Sequence, residues 1–171
     1  VENTKDILES CFGGSSDSSA SETLTAPVDP VKLTSEIVIG WNLGNSLDAT
    51  GSGMNSETSW GNPKVTKELI LKVKEAGFNA VRIPTTWYNH ADSDMNVDEL
   101  WFDRVQEVVD YAYDEGMYVI LNSHHENWYD PYNDNLSEAK RKMKNLWTQI
   151  GQRFESYGER LIFEGMNEPR W

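Results

Sequence analysis

The strongest constraint on this chain is a rhythm. Short apolar runs of strand length alternate with longer stretches whose apolar residues recur at helical spacing. The strand-like runs are Ile37 to Leu43, Asn79 to Pro84, Met117 to Asn122 and Leu161 to Met166. Between the first two, Leu69, Ile70, Val73 and Ala76 form one helical face, which is predicted to open at Pro63 and close at Gly77. A second helix is predicted over Val97 to Glu115, with Leu100, Val105, Val108, Val109 and Ala112 inward and Gly116 as its stop. A third runs from Leu136 to Tyr157, before Gly158. Strands that are apolar at consecutive positions are buried on both faces, so the pattern predicts an α/β fold with a parallel sheet covered by helices. Two closures satisfy it, an open doubly wound sheet or a (β/α) barrel. Gly44 is followed by Asn45 and Ser46 and lacks the dinucleotide fingerprint, which counts against nucleotide binding.

Residues 1–30 read as a Ser/Gly-rich flexible linker, and the folded domain is predicted over 31–171. Within the linker, Gly13 to Ser21 has little to bury, and Pro27 and Pro30 continue an extended approach. Ile7, Leu8, Cys11 and Phe12 have the spacing of a short helix or of the end of a preceding module. Cys11 is the single cysteine of the 171 residues, so no disulfide closes within the chain. The net charge of -13 repels nucleic acid and anionic membrane and leaves neutral partners such as sugars open. No apolar run is long enough to span a bilayer, and no basic-plus-apolar leader opens the chain.

The strands end in polar company. The first runs into Trp41, Asn42 and Asn45, and the second ends on Arg82 and Pro84. The third is followed by His124, His125 and Glu126, and the fourth by Asn167, Glu168 and Pro169. In parallel β/α folds the C-terminal ends of the strands share one rim, where active sites form. Taken singly, Arg82 reads as an ion-pair partner, either histidine as a satisfied core residue, Asn167 as a helix cap and Glu168 as a solvated carboxylate. Together at one rim they read as a site for acid/base chemistry. Partial burial at the strand end is expected to raise the pKa of Glu168 toward that of a useful acid. Trp60, Trp87, Trp128 and Trp171 are candidates to stack on sugar rings, with at least one expected in the core. The adjacent His124, His125 and Glu126 lack the helical spacing of zinc peptidases, and neighbours on a strand point to opposite faces, so no metal site is expected.

Four motifs now carry a resemblance: Gly40-Trp41-Asn42-Leu43-Gly44-Asn45, Val81-Arg82-Ile83-Pro84, His124-His125-Glu126 and Phe163 through Arg170 around Asn167-Glu168-Pro169. In this order, at these strand ends, the chain from Val31 to Trp171 resembles glycoside hydrolase family five, the cellulase family, and most closely its subfamily four of endoglucanases and xyloglucanases. The resemblance implies the N-terminal half, about four β/α units, of a (β/α)8 TIM barrel. It implies a secreted retaining endo-β-1,4-glucanase acting on β-glucan, with no cofactor. Glu168 is then the acid/base, with Arg82, His124 and Asn167 around it and His125, Asn45, Trp60, Trp128 and Trp171 toward the substrate.

Retention needs two carboxylates about 5 Å apart, one to protonate the leaving oxygen and one to attack the anomeric carbon. In the family the nucleophile follows the seventh strand, and no residue here matches it. Glu126 belongs to the histidine motif, and Glu164 reads as lying inside a strand. The expectation is therefore a chain that carries the acid/base half of the site and turns over only with a C-terminal barrel half, in the same chain or a separate one. The alternative function is a noncatalytic carbohydrate-binding or half-barrel scaffold chain.

Overall fold

The computed structural model describes residues 28–51, 53–129 and 135–169. The expected linker therefore lies almost wholly outside the described residues, with the helical spacing around Ile7, and so does Trp171. The elements run α1 (Pro30–Glu36), β1 (Gly40–Asn42), α2 (Lys67–Glu75), β2 (Ala80–Ile83), α3 (Glu99–Tyr113), β3 (Tyr118–Asn122), α4 (Leu136–Arg153) and β4 (Leu161–Glu164). Single 3-10 segments at Gly53–Thr58 and Tyr88–His90 interrupt the loops after β1 and β2.

Among the described residues the four strands pair in parallel, in the spatial order β1-β2-β3-β4. Each strand lies beside its predecessor, and no strand order reverses as it does in a doubly wound sheet. That is the progression of a barrel wall. Register then sorts the side chains. Asn42 pairs with Arg82, and Arg82 with Ile120; Asn122 pairs with Glu164. Because residues two apart share a face, Asn42, Arg82, Asn122 and Glu164 stand on one face of the sheet, at its C-terminal end. Val81, Ile83, Val119 and Leu121 stand on the other, fully buried, against Ile70 of α2, Val105, Val108 and Val109 of α3, and Leu146 and Ile150 of α4. Each such side chain contributes about 1.5–3 kcal/mol by leaving water.

Several boundaries differ from expectation for local reasons. Pro30 does not extend the approach to the domain; it opens α1, where a missing N–H costs nothing, while the Asp29 carboxylate accepts from the amides of Val31 and Lys32. Pro63 does not open α2. Thr66 does, its hydroxyl accepting from the Leu69 amide at 3.3 Å. β1 is only three residues long, because Asn79 intercepts the amides of Val38 and Ile39 with its Oδ1. Gly77 (φ 100°) and Gly116 (φ 78°) stop α2 and α3 in the left-handed conformation their positions require. Helix α1 sits under the N-terminal end of the sheet, where the Tyr118 hydroxyl donates to Glu36.

Candidate active site

The inner face of the sheet converges on one guanidinium. Arg82 donates from Nε and Nη2 to the two oxygens of Glu164, at 2.7 and 2.6 Å. Its Nη1 donates to Asn42 Oδ1 and its Nη2 also to Asn167 Oδ1, both at 3.0 Å. The ends of β1 and β2, the end of β4 and the loop after β4 are thereby tied together. The hydrogen bonds from Arg82 hold the Glu164 carboxyl below the usual carboxylate range, against the opposing pull of partial burial. The same pair raises the pKa of Arg82. Arg82 also fixes how Asn167 is turned: its Oδ1 is taken, and among the described residues its NH2 group makes no hydrogen bond. The Asn167 amide donates to Ser123 O at 2.9 Å, which seats this loop on the end of β3.

Glu164 lies in a strand, as expected, and its side chain takes part in the cluster. It is the last residue of β4, on the inner face, and it is the principal partner of Arg82. The alternation Ile162, Glu164 in the apolar run was the available signal. Asn42, the last residue of β1, is the residue of the first strand that joins this cluster. Asn45 stands exposed in a left-handed turn (φ 59°) and makes none of these bonds.

Glu168 lies four residues beyond β4, exposed, with a left-handed backbone at φ 42°. The partial burial expected at this position is absent, because the strand ends at Glu164 and the loop carries the chain out to the rim. Its charge still acts on Arg82. The histidines also lie past their strand, so the opposite-face rule does not govern them. The rings of His124 and His125 meet edge to face at 4.5 Å. With Asp48, they bring one ligand atom each within 4.8 Å of one another. His124 is half-buried, and burial lowers its pKa to about 4, so its imidazole is neutral near neutral pH. His125 is exposed, 5.6 Å from the ring of Trp60, which is itself 45% exposed. Those two rings form the aromatic side of the rim.

Trp87 and Trp128 belong to the core. Trp87 is fully buried and donates its indole N–H to Asn122 O. Trp128, expected at the substrate, is buried and donates to Glu126 Oε2 at 2.8 Å. Glu126 also accepts from the amides of Trp87 and Tyr88, so the third residue of the histidine motif clamps the loop after β2. Burial pushes its pKa up to about 7.

Comparison with known proteins follows the same outline. The family described as Cellulase (glycosyl hydrolase family 5) matches residues 47–171. Endoglucanase A of Ruminococcus albus is 52% identical over 147 residues, 84% of this chain and 40% of that protein. Among solved structures, a GH5-4 broad specificity endoglucanase from Ruminococcus flavefaciens is 53% identical with a TM-score of 0.78, over 81% of this chain and 41% of its own. Its counterpart from Ruminococcus champanellensis, solved with bound cellotriose, is 49% identical with a TM-score of 0.82, over 86% and 46%. The chain thus spans less than half the length of the relatives it matches.

Proposed function

The chain belongs to the cellulase family, glycosyl hydrolase family 5, and on that premise we propose that it carries the acid/base half of a retaining endo-β-1,4-glucanase site. Glu168 protonates the leaving glycosidic oxygen and later takes a proton from water. Asn167 presents its NH2 edge to a sugar hydroxyl, and Arg82 holds that edge in place. His124 and His125 donate to hydroxyls along the groove, and Trp60 offers an aromatic face to a ring. A second carboxylate, acting as nucleophile, comes from a C-terminal barrel half. The substrate is a soluble β-1,4-glucan, with xyloglucan among the accepted forms. A polymer of that size is met outside the cell, so the enzyme works as a secreted protein; among the described residues no helix is long and apolar enough to cross a membrane.

The observation that supports this reading best is the convergence of three strand ends and the Asn167 loop on Arg82, beside the charge of Glu168. The test is Glu168→Gln in the protein carrying both barrel halves. Hydrolysis of carboxymethyl cellulose and xyloglucan should fall at least about 100-fold, the range that proton transfer contributes. An unchanged rate would remove Glu168 from the reaction.

A further inference from the structure

We propose that Asn122 is a positioning residue that fixes His124 as its Nε2–H tautomer, so that the ring offers an N–H donor rather than a lone pair at the rim. The inference deepens the site described above, and rests on the proposed function only for the use to which that donor is put.

The orientation of the Asn122 amide is set twice, by groups of fixed polarity. The backbone N–H of Thr85 lies 3.0 Å from its Oδ1 and can only donate. The Glu164 carboxylate lies 3.1 Å from its Nδ2 and, held ionised by Arg82, can only accept. Nδ2 therefore faces Glu164 with one N–H and has a second to give. That second N–H meets His124 Nδ1 at 3.1 Å. A protonated Nδ1 would set donor against donor, so Nδ1 carries the lone pair and the proton sits on Nε2. The side chain of Asn122 is fully buried, so water does not relax the arrangement.

Nε2 makes no hydrogen bond among the described residues. It is also not among the buried unpartnered atoms there, which are Asn89 Oδ1, Trp101 Nε1 and Ser123 Oγ. Among the described residues it therefore stands open as a donor. This decides between two uses of the group formed by Asp48, His124 and His125. A cation needs the lone pair of a histidine nitrogen, backed by an acceptor on the other ring nitrogen. Asn122 backs His124 with a donor instead. A neutral hydroxyl-bearing ligand, which accepts from an N–H, suits this ring; a divalent cation does not.

The test is a long-range 15N–1H correlation spectrum of the chain. It has only three histidines, so each is assignable. The proposal expects the lone-pair nitrogen of His124 to be Nδ1 and the protonated one Nε2. In Asn122→Asp an acceptor replaces the donor: the proton should move to Nδ1 and the titration midpoint should rise by about 1–3 pH units. His90, stacked on Trp101 at 3.6 Å, should keep its spectrum and so report an intact fold. The native spectrum needs no variant, and Nδ1–H there overturns the proposal. So does a folded Asn122→Asp protein with unchanged tautomer and midpoint. The readout does not involve turnover: Nε2–H in a protein that cleaves no glucan sinks the functional reading and leaves the assignment of Asn122 standing.

Discussion

Two Arg–Glu forks in this molecule share a geometry and differ in surroundings. Arg104 of α3 grips Glu57 through Nε and Nη2 at 2.9 and 2.7 Å, as Arg82 grips Glu164. The Arg104 and Glu57 side chains are 5% and 3% exposed, those of Arg82 and Glu164 25% and 31%. The remaining partners of Arg104 are Val65 O, at 2.7 Å, and Glu107 one turn along its own helix. Glu57 in turn accepts the Val65 amide. This fork pins the long loop after β1 to the outer helix layer. The remaining partners of Arg82 are the side chains of Asn42 and Asn167, both at the rim. The same ion pair therefore shapes a loop where it is sealed, and orients side-chain amides where it meets solvent.

The comparison is most sharply tested by removing each arginine. Arg104→Met leaves a buried carboxylate uncompensated and should cost about 3–5 kcal/mol in urea unfolding. The double variant Glu57→Gln/Arg104→Met should recover part of that loss. Arg82→Lys keeps the charge but loses the fork. It should cost no more than about 1 kcal/mol of stability, yet lower glucan hydrolysis by the assembled enzyme about 100-fold through misplacement of Asn167. If Arg82→Lys destabilised as much as Arg104→Met, the two forks would not differ in role.

Acidification probes both regions at once. Burial lowers the pKa of His90, beside the inner fork, and of His124, at the rim, to about 4 from 6.5. A base with a depressed folded-state pKa binds fewer protons folded than unfolded between those values. Stability should therefore be full above about pH 6.5 and fall as the pH drops toward 4, by up to about 1.4 kcal/mol per pH unit for each of the two histidines. His90→Phe should flatten that slope in thermal melts; an unchanged slope would assign it to other groups. The smallest effect is expected for Asn42→Ala, which deletes one exposed acceptor of Arg82 at a cost of no more than about 0.5 kcal/mol in urea unfolding.

The parts of this fold governed by local chemistry were legible in the sequence. Continuous apolar runs bounded by Gly77 and Gly116 mark strands and helices whose placement needs no partner, whereas α4 ends at Arg153, short of the stop expected at Gly158. Pro63 misled because proline is only permissive at a helix start, whereas Thr66 supplies an acceptor. The site was half legible. Arg82, His124, Asn167 and Glu168 advertise themselves at strand ends. Asn42 stands at the end of the first run too, but its tie to Arg82, like the role of Glu164, depends on which residues of neighbouring strands lie side by side. Burial was the least legible property. Trp60 and Trp128 are the same residue type in loops of similar polarity, and only packing puts one at the rim and the other against Glu126.

The central claim, that Glu168 delivers the proton at this rim, is tested most directly by leaving-group dependence in Glu168→Ala of the protein carrying both barrel halves. Dinitrophenyl β-cellobioside, whose phenolate leaves without protonation, should still react in its first step, and added azide should accelerate release and yield a β-glycosyl azide. Carboxymethyl cellulose should be inert. Undiminished cellulose hydrolysis, or equal losses on both substrates without azide rescue, would contradict the account.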